Sequence, residues 1–422
     1  MDRLIIKNGT LVGGGTSRKA DILVENGIIA VIGQDIEAGA DDKVVDAEGK
    51  TVTYGLADVH VHFREPGRPD KETVRTGSMA AAAGGYTCVC TMPNLDPVPD
   101  SVDNIAVEQK LIDDGAVIDV LPYSAITVGR KGLERVDMEA LKDRCVAFSD
   151  DGSGVQDDAM MLDAMTEAAR LDVLVAAHCE VNDLLHGGYI HDGEYARTHG
   201  HKGICSASEW EQVARDVEMA GKTGCRYHVC HVSTAESVEA VRKGKEAGYR
   251  VSCETGPHYL TMTDADLMEE GRFKMNPPIR SESDRQALIK GILDGSVEVI
   301  ATDHAPHTAE EKSKGLAGSA MGVVGLETAF AVLNTKLVKE GIISMEKLIS
   351  LMCDNPRRIF RLGGALEPGQ KADIAIFDTE TEYTIDSNEF LSKGRATPFD
   401  GWKVKGRCVM TIKDGKCVYS KQ

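Results

Sequence analysis

Eight apolar, strand-like runs alternate with helical segments through the middle of the chain, and this alternation restricts the fold more than any other feature. The runs are LADVHVHF from Leu56, YTCVCTMPN from Tyr86, VIDVLPYSAIT from Val117, CVAFSDDG from Cys145, VLVAAHCE from Val173, RYHVCHVS from Arg226, RVSCETGPH from Arg250 and VEVIATDHAP from Val297. Between several of them lie helical patterns such as DAMMLDAMTEAARL and AESVEAVRKGKEAG. Such alternation marks a parallel α/β architecture, and eight strands is the number a closed (β/α)8 barrel requires.

Both chain ends have a different texture. RLIIKNGTLV and ADILVENGIIAVIG near the start, and KADIAIFD and WKVKGRCVMTIKDGKCVYS near the end, read as strands. Asn26-Gly27 and Asp414-Gly415 suit tight hairpin turns within them. The expected fold class is therefore α/β, a (β/α)8 TIM-type barrel with a small β-sandwich built from both chain ends. Residues 1–52 and 366–422 are assigned to the sandwich and 53–365 to the barrel, a division in keeping with 422 residues.

The metal-ligand residue types fall at one end of the predicted strands. His60 and His62 close the first, Asp151 follows the fourth, His178 the fifth, His231 the sixth and Asp303 the eighth. Loops at the C-terminal strand ends of a barrel converge on its axis, so six such residues surround one point. His60 and His62 are two apart, which on a strand sends both imidazoles to one face. An isolated His-X-His pair is weak evidence; the joint placement at strand ends carries the inference. Imidazole and carboxylate without thiolate favour catalytic zinc. Six donors exceed what one tetrahedral ion uses, and a carboxylate such as Asp151 can bridge two, so two Zn2+ per subunit are expected, with one the alternative. Zinc lowers the pKa of water toward roughly 7, which makes amide hydrolysis feasible without a serine or cysteine nucleophile. A carboxylate must then pass a proton to the departing nitrogen, and Asp303 is the candidate.

Charge and composition exclude several alternatives. A formal charge of -19 argues against a nucleic-acid or anionic-membrane surface. No run of about 18 apolar residues occurs, and the start lacks a secretory pattern, so a cytoplasmic protein is expected. The eleven cysteines are scattered rather than paired at zinc-finger or redox spacings and read as reduced core residues. Cys230, beside His231, is expected to point away from the site by strand alternation.

The motifs GLADVHVHFREPG, TMPN, FSDDG, AAHCE, CHVST, KMNPPIR and TDHAPH together resemble the amidohydrolase superfamily, and more narrowly the larger class of bacterial dihydroorotases. The likeness extends to GALEPGQKADIAIFD and PFDGWKVKGRCVMTIKDGK at the C-terminal end. It implies zinc ligands at His60, His62, Asp151, His178, His231 and Asp303, with Asp303 also the acid/base group. Relatives with a carboxylated bridging lysine, such as hydantoinases and allantoinases, differ at the fourth strand, where FSDDG has no lysine. Whether Asp150 or Asp151 bridges is left open by the residues, and family spacing selects Asp151.

The resemblance implies a substrate, dihydroorotate, whose carboxylate calls for a positive fork; Arg64, two residues past His62, fits. Asn94 and His307 would join it, Asn276 would contact the ring, and His62 would also face the substrate. Where the family commonly has Phe-Gly, this chain has Met321-Gly322, assigned to the substrate side of a small-residue-rich and mobile segment, KSKGLAGSAMG. His228 and His258 are taken as core or supporting residues. The implied reaction is reversible hydrolysis of dihydroorotate to N-carbamoyl-aspartate in pyrimidine biosynthesis. A homodimer and a possible association with aspartate transcarbamoylase follow from the same likeness. The rivals are another cyclic amidohydrolase and a non-catalytic partner of aspartate transcarbamoylase, the latter disfavoured because all six ligand types remain.

Overall fold

The computed structural model describes residues 3–421. Five strands form the N-terminal part: β1 (Arg3–Gly13), β2 (Thr16–Glu25), β3 (Ile28–Gly33), β4 (Lys43–Asp46) and β5 (Thr51–Tyr54). The middle supplies β6 (Leu56–Val61), β7 (Tyr86–Thr91), β8 (Asp119–Pro122), β9 (Leu174–Ala177), a short pair β10 (Ile190–His191) and β11 (Gly203–Ile204), then β12 (Arg226–Val229), β13 (Val251–Thr255) and β14 (Val299–Ile300). β15 (Ile374–Thr384), β16 (Lys403–Lys413) and β17 (Lys416–Ser420) complete the chain.

The two chain ends meet in one sheet of order β17-β16-β15-β5-β1-β2-β3, with β4 also on β1. β5 is the seam, parallel to β1 and antiparallel to β15. Ile6, Ile22, Ile29, Val52, Ile374 and Ile412 enclose a separate apolar core there. Both expected hairpins form, with Asn26-Gly27 and Asp414-Gly415 at φ of 52°, 81°, 49° and 75°, the left-handed backbone that tight two-residue turns demand. The two turn tips touch: a Cβ on Gly27 would meet the Asp414 carbonyl at 2.8 Å. At Gly55 the chain passes directly from this sheet to the barrel.

The barrel strands pair in parallel, β6 with β7, β7 with β8, β9 with β12, β12 with β13 and β13 with β14. Closure comes from a Val61–His304 bridge, with the His62 amide donating to the His304 carbonyl at 2.8 Å. These strands are buried along their length, which explains their near-continuous apolar sequences. Helices Asp158–Leu171 and Ala235–Glu246 cover them as the pattern predicts, capped by Asp157 and Thr234.

The fourth run departs from expectation. Cys145–Gly152 forms no regular strand; Phe148 alone bridges Ser124 and Val175. Immediately beyond it, the Asp150 carboxylate accepts from the amides of Ile126 and Thr127 at 2.8 and 3.1 Å and from the Thr127 hydroxyl. Backbone bonds to both neighbours persist, from the amides of Val146, Phe148 and Ser149 to the carbonyls of Pro122, Leu174 and Ser124 at 2.9 Å each, and the Asp150 side chain continues the contact past them.

Candidate active site

The six expected donor residues come together at the C-terminal strand ends. Asp151 is central: its Oδ1 lies 3.3 Å from His60 Nε2, 3.4 Å from His231 Nε2 and 3.7 Å from His178 Nδ1, and its Oδ2 lies 3.4 Å from His62 Nε2. Asp303 Oδ1 stands 3.2 Å from His62 Nε2 and 3.7 Å from His60 Nε2. One carboxylate therefore faces all four imidazoles, three through Oδ1 and His62 through Oδ2. Asp150 is absorbed by the Ile126–Thr127 backbone, so Asp151 is the aspartate of FSDDG that enters the cluster.

The donor set fits a metal. Donor atoms of His60, His62 and Asp303 lie within 4.8 Å of one another, as do those of His60, Asp151 and His231. His60 Nε2 and Asp151 Oδ1 are buried without a hydrogen-bond partner, a costly state that a cation between them relieves. The electrostatics agree. Burial disfavours a charged His60, but Asp151 and Glu254 outweigh it and hold the imidazole pKa well above its ordinary value. Burial likewise opposes charge on His178, which Asp151 and Glu180 nonetheless raise to about 10. The cluster demands positive charge at its centre, the role a bound cation takes over.

Arg64, His231 and Asp303 have φ of 58°, 34° and 48°, a sparsely populated backbone for non-glycine residues that concentrates at functional sites. In each the backbone turns just past a barrel strand.

Behind the cluster stands a residue the sequence reading did not single out. Glu254 Oε1 lies 2.6 Å from His60 Nδ1, and its Oε2 lies 3.2 Å from His228 Nε2, whose Nδ1 in turn meets the Ser252 hydroxyl at 2.8 Å. An ionisable residue inside the apolar run VSCET was the available signal. His228 has the supporting position expected for it. Cys230 does not turn away from the cluster as alternation suggested: its sulfur lies within 4.8 Å of donor atoms of His60 and Glu254, because residues 230–231 lie beyond the end of β12, where strict alternation lapses.

The residues expected on the substrate side surround this centre unequally. Arg64 is half-buried, its Nε donates to the Pro306 carbonyl at 3.3 Å, and among the described residues it has no acidic partner. Burial lowers its pKa to about 10, which leaves it charged at neutral pH. Asn94 Oδ1 accepts from His62 Nδ1 at 2.8 Å. Asn276 Nδ2 donates to Glu180 Oε1 at 2.8 Å, and Glu180 Oε2 is 3.7 Å from His178 Nε2. Burial, Arg64 and Lys71 lower the His307 pKa to about 3. Its neutral ring donates from Nε2 to the Met321 carbonyl at 2.7 Å and accepts at Nδ1 from Lys71 at 3.0 Å. Gly322, at φ 130°, is packed against Ala305 and His307.

Comparison with known proteins agrees with this picture. A family model described as Dihydro-orotase-like matches residues 49–237. A relative named dihydroorotase from Geobacillus sp. is 49% identical over 422 residues, covering 99% of both chains. One from Bacillus cytotoxicus is 49% identical, covering 99% of this chain and 98% of its own. Among solved structures, the L-hydantoinase (dihydropyrimidinase) of Arthrobacter aurescens aligns with a TM-score of 0.89 at 27% identity, covering 100% of this chain and 97% of that one. A D-hydantoinase at 24% identity aligns with a TM-score of 0.87 and supports the fold alone.

Fold and site together define a barrel-type hydrolase of cyclic amides. Within that class, the chain belongs to the dihydroorotase family.

Proposed function

We propose that this protein catalyses the reversible hydrolysis of (S)-dihydroorotate to N-carbamoyl-L-aspartate, with zinc held by His60, His62, Asp151, His178, His231 and Asp303. The observation that carries the reading is Asp151, whose Oδ1 faces His60, His178 and His231 while its Oδ2 faces His62, one carboxylate among more donors than a single tetrahedral ion uses. Zinc bound there would supply Lewis acidity and water of lowered pKa.

The chain's own residues do the rest. The Asp303 Oδ1 stands 3.2 Å from His62 Nε2, at the edge of the donor set. From there it accepts the proton of the attacking water and returns it to the ring nitrogen as the carbon–nitrogen bond breaks. Arg64, lacking an acidic partner, takes the substrate carboxylate in its planar fork. The Asn94 amide nitrogen assists, since only its oxygen is used by His62. His307 joins them by giving up one of its two present contacts. His62, Asn276 and the Met321-Gly322 strip line the ring.

The family resemblance supports a place in de novo pyrimidine biosynthesis, a cytoplasmic homodimer, and possible association with aspartate transcarbamoylase. No helix among the described residues is long and apolar enough to cross a membrane, and the net charge of -19 opposes nucleic-acid binding.

Steady-state hydrolysis of dihydroorotate and dihydrouracil, which differ by the carboxylate, tests the substrate reading. Selectivity for dihydroorotate that collapses in Arg64→Ala supports it; selectivity for dihydrouracil overturns it.

A further inference from the structure

Buried side chains tie the segment 308–322 to its surroundings: Lys274 Nζ donates to the Ala317 carbonyl at 2.9 Å, and the larger set of bonds comes from Lys312. Lys312 Nζ donates to the carbonyls of Lys274, Ala320 and Gly322 at 3.0, 2.8 and 2.7 Å. These three acceptors match the three N–H groups of an ammonium, whereas a neutral amine has only two. No carboxylate pairs with it among the described residues, and burial, then Lys274, lower its pKa to about 7, so the three carbonyl dipoles are what favour the charged form.

The clamp reaches the proposed substrate side from two directions. Three consecutive carbonyls, of Ala320, Met321 and Gly322, are held by Lys312, His307 and Lys312 in turn. The Lys274 carbonyl also accepts from the Gly322 amide at 3.0 Å. Two residues beyond Lys274, Asn276 binds Glu180 at the edge of the metal cluster. The segment's own structure is two four-residue helices, Ala309–Lys312 and Gly315–Gly318, too short to order it unaided.

We propose that Lys312 is a positioning residue for substrate binding: its ammonium fixes the Met321-Gly322 strip and the Lys274–Asn276 segment against each other beside the metal cluster. The inference rests on the functional reading above for its kinetic consequence, but not for the clamp itself. Loss of the clamp removes binding contacts and leaves Asp303 and the ligands in place. In Lys312→Met, KM for dihydroorotate is therefore expected to rise about tenfold or more while kcat changes by less than about threefold.

The test pairs those kinetics with metal content and amide hydrogen exchange. The expected result is faster exchange confined to residues 313–322 and unchanged metal content. An unchanged KM with unchanged exchange overturns the proposal. So does a joint collapse of kcat and metal content, which would mark a general structural role. If Lys312→Met does not fold, wild-type exchange decides: the Ala320 and Gly322 amides should be protected well beyond those of Gly315–Gly318, and equal exchange refutes the clamp. Failure of the wild type to turn over dihydroorotate would reject the functional reading, with the exchange result still deciding the clamp.

Discussion

Glu254 Oε1 lies 2.6 Å from His60 Nδ1, while the opposite nitrogen of the same ring faces Asp151. A carboxylate behind a ligating histidine fixes its tautomer and raises its basicity. Glu254→Gln keeps the shape and removes the charge. We expect metal affinity to fall by about 10- to 100-fold, read by competition with a chelator; unaltered affinity would show that Glu254 does not orient His60.

The adjacent aspartates should separate cleanly. Asp151→Ala removes the carboxylate shared by all four imidazoles, and the purified variant should lose bound metal. Asp150→Ala leaves the Ile126 and Thr127 donors unsatisfied, which should lower stability by about 1–3 kcal/mol with metal retained. Metal analysis and denaturant melts distinguish the two, and metal loss from the Asp150 variant alone would reverse the assignment.

Asp303→Asn should keep most of the metal and lower turnover by roughly 10²- to 10⁴-fold, the usual scale for a lost acid/base group. Near-normal turnover would remove Asp303 from the proton path.

A pH effect on stability is expected from a buried carboxyl outside the donor set. Glu108 is buried on helix Val102–Gly115, accepts from the Thr91 hydroxyl at 2.7 Å, and leaves Oε2 without a partner. Burial pushes its pKa up to about 8, with Thr91 opposing only in part. The folded state therefore holds a proton that the unfolded chain has already lost between about pH 4.5 and 8. Stability from this group is present at the acid end and declines as pH rises through that window. Melting temperatures across it should fall more for the wild type than for Glu108→Gln, and parallel curves would contradict the assignment.

The sequence pattern placed seven barrel strands, with five of the six donor residues at or just past their ends and Asp151 after the short fourth run, because both signals are local: apolar runs and the residue that follows each. The fourth run takes its barrel place through the backbone bonds of Val146, Phe148 and Ser149 to both neighbours, but it is shorter than its apolar sequence suggests, because Asp150 continues the contact with its side chain, which periodicity does not encode. Glu254 was passed over because the apolar texture of VSCET hid one charged residue whose partners lie on other strands. The ties of segment 308–322 are silent in the sequence for the same reason: Lys312 works through carbonyls of residues 274, 320 and 322, and backbone acceptors leave no mark in a sequence.

The most direct measurement is steady-state hydrolysis of L-dihydroorotate by the purified protein, before chelation, after it, and after zinc is restored, with hydantoin, dihydrouracil and allantoin in parallel. The expected result is selective turnover of dihydroorotate that disappears with the metal and returns with zinc. Turnover that survives complete metal removal, preference for another ring, or inactivity on all four with zinc bound would contradict it.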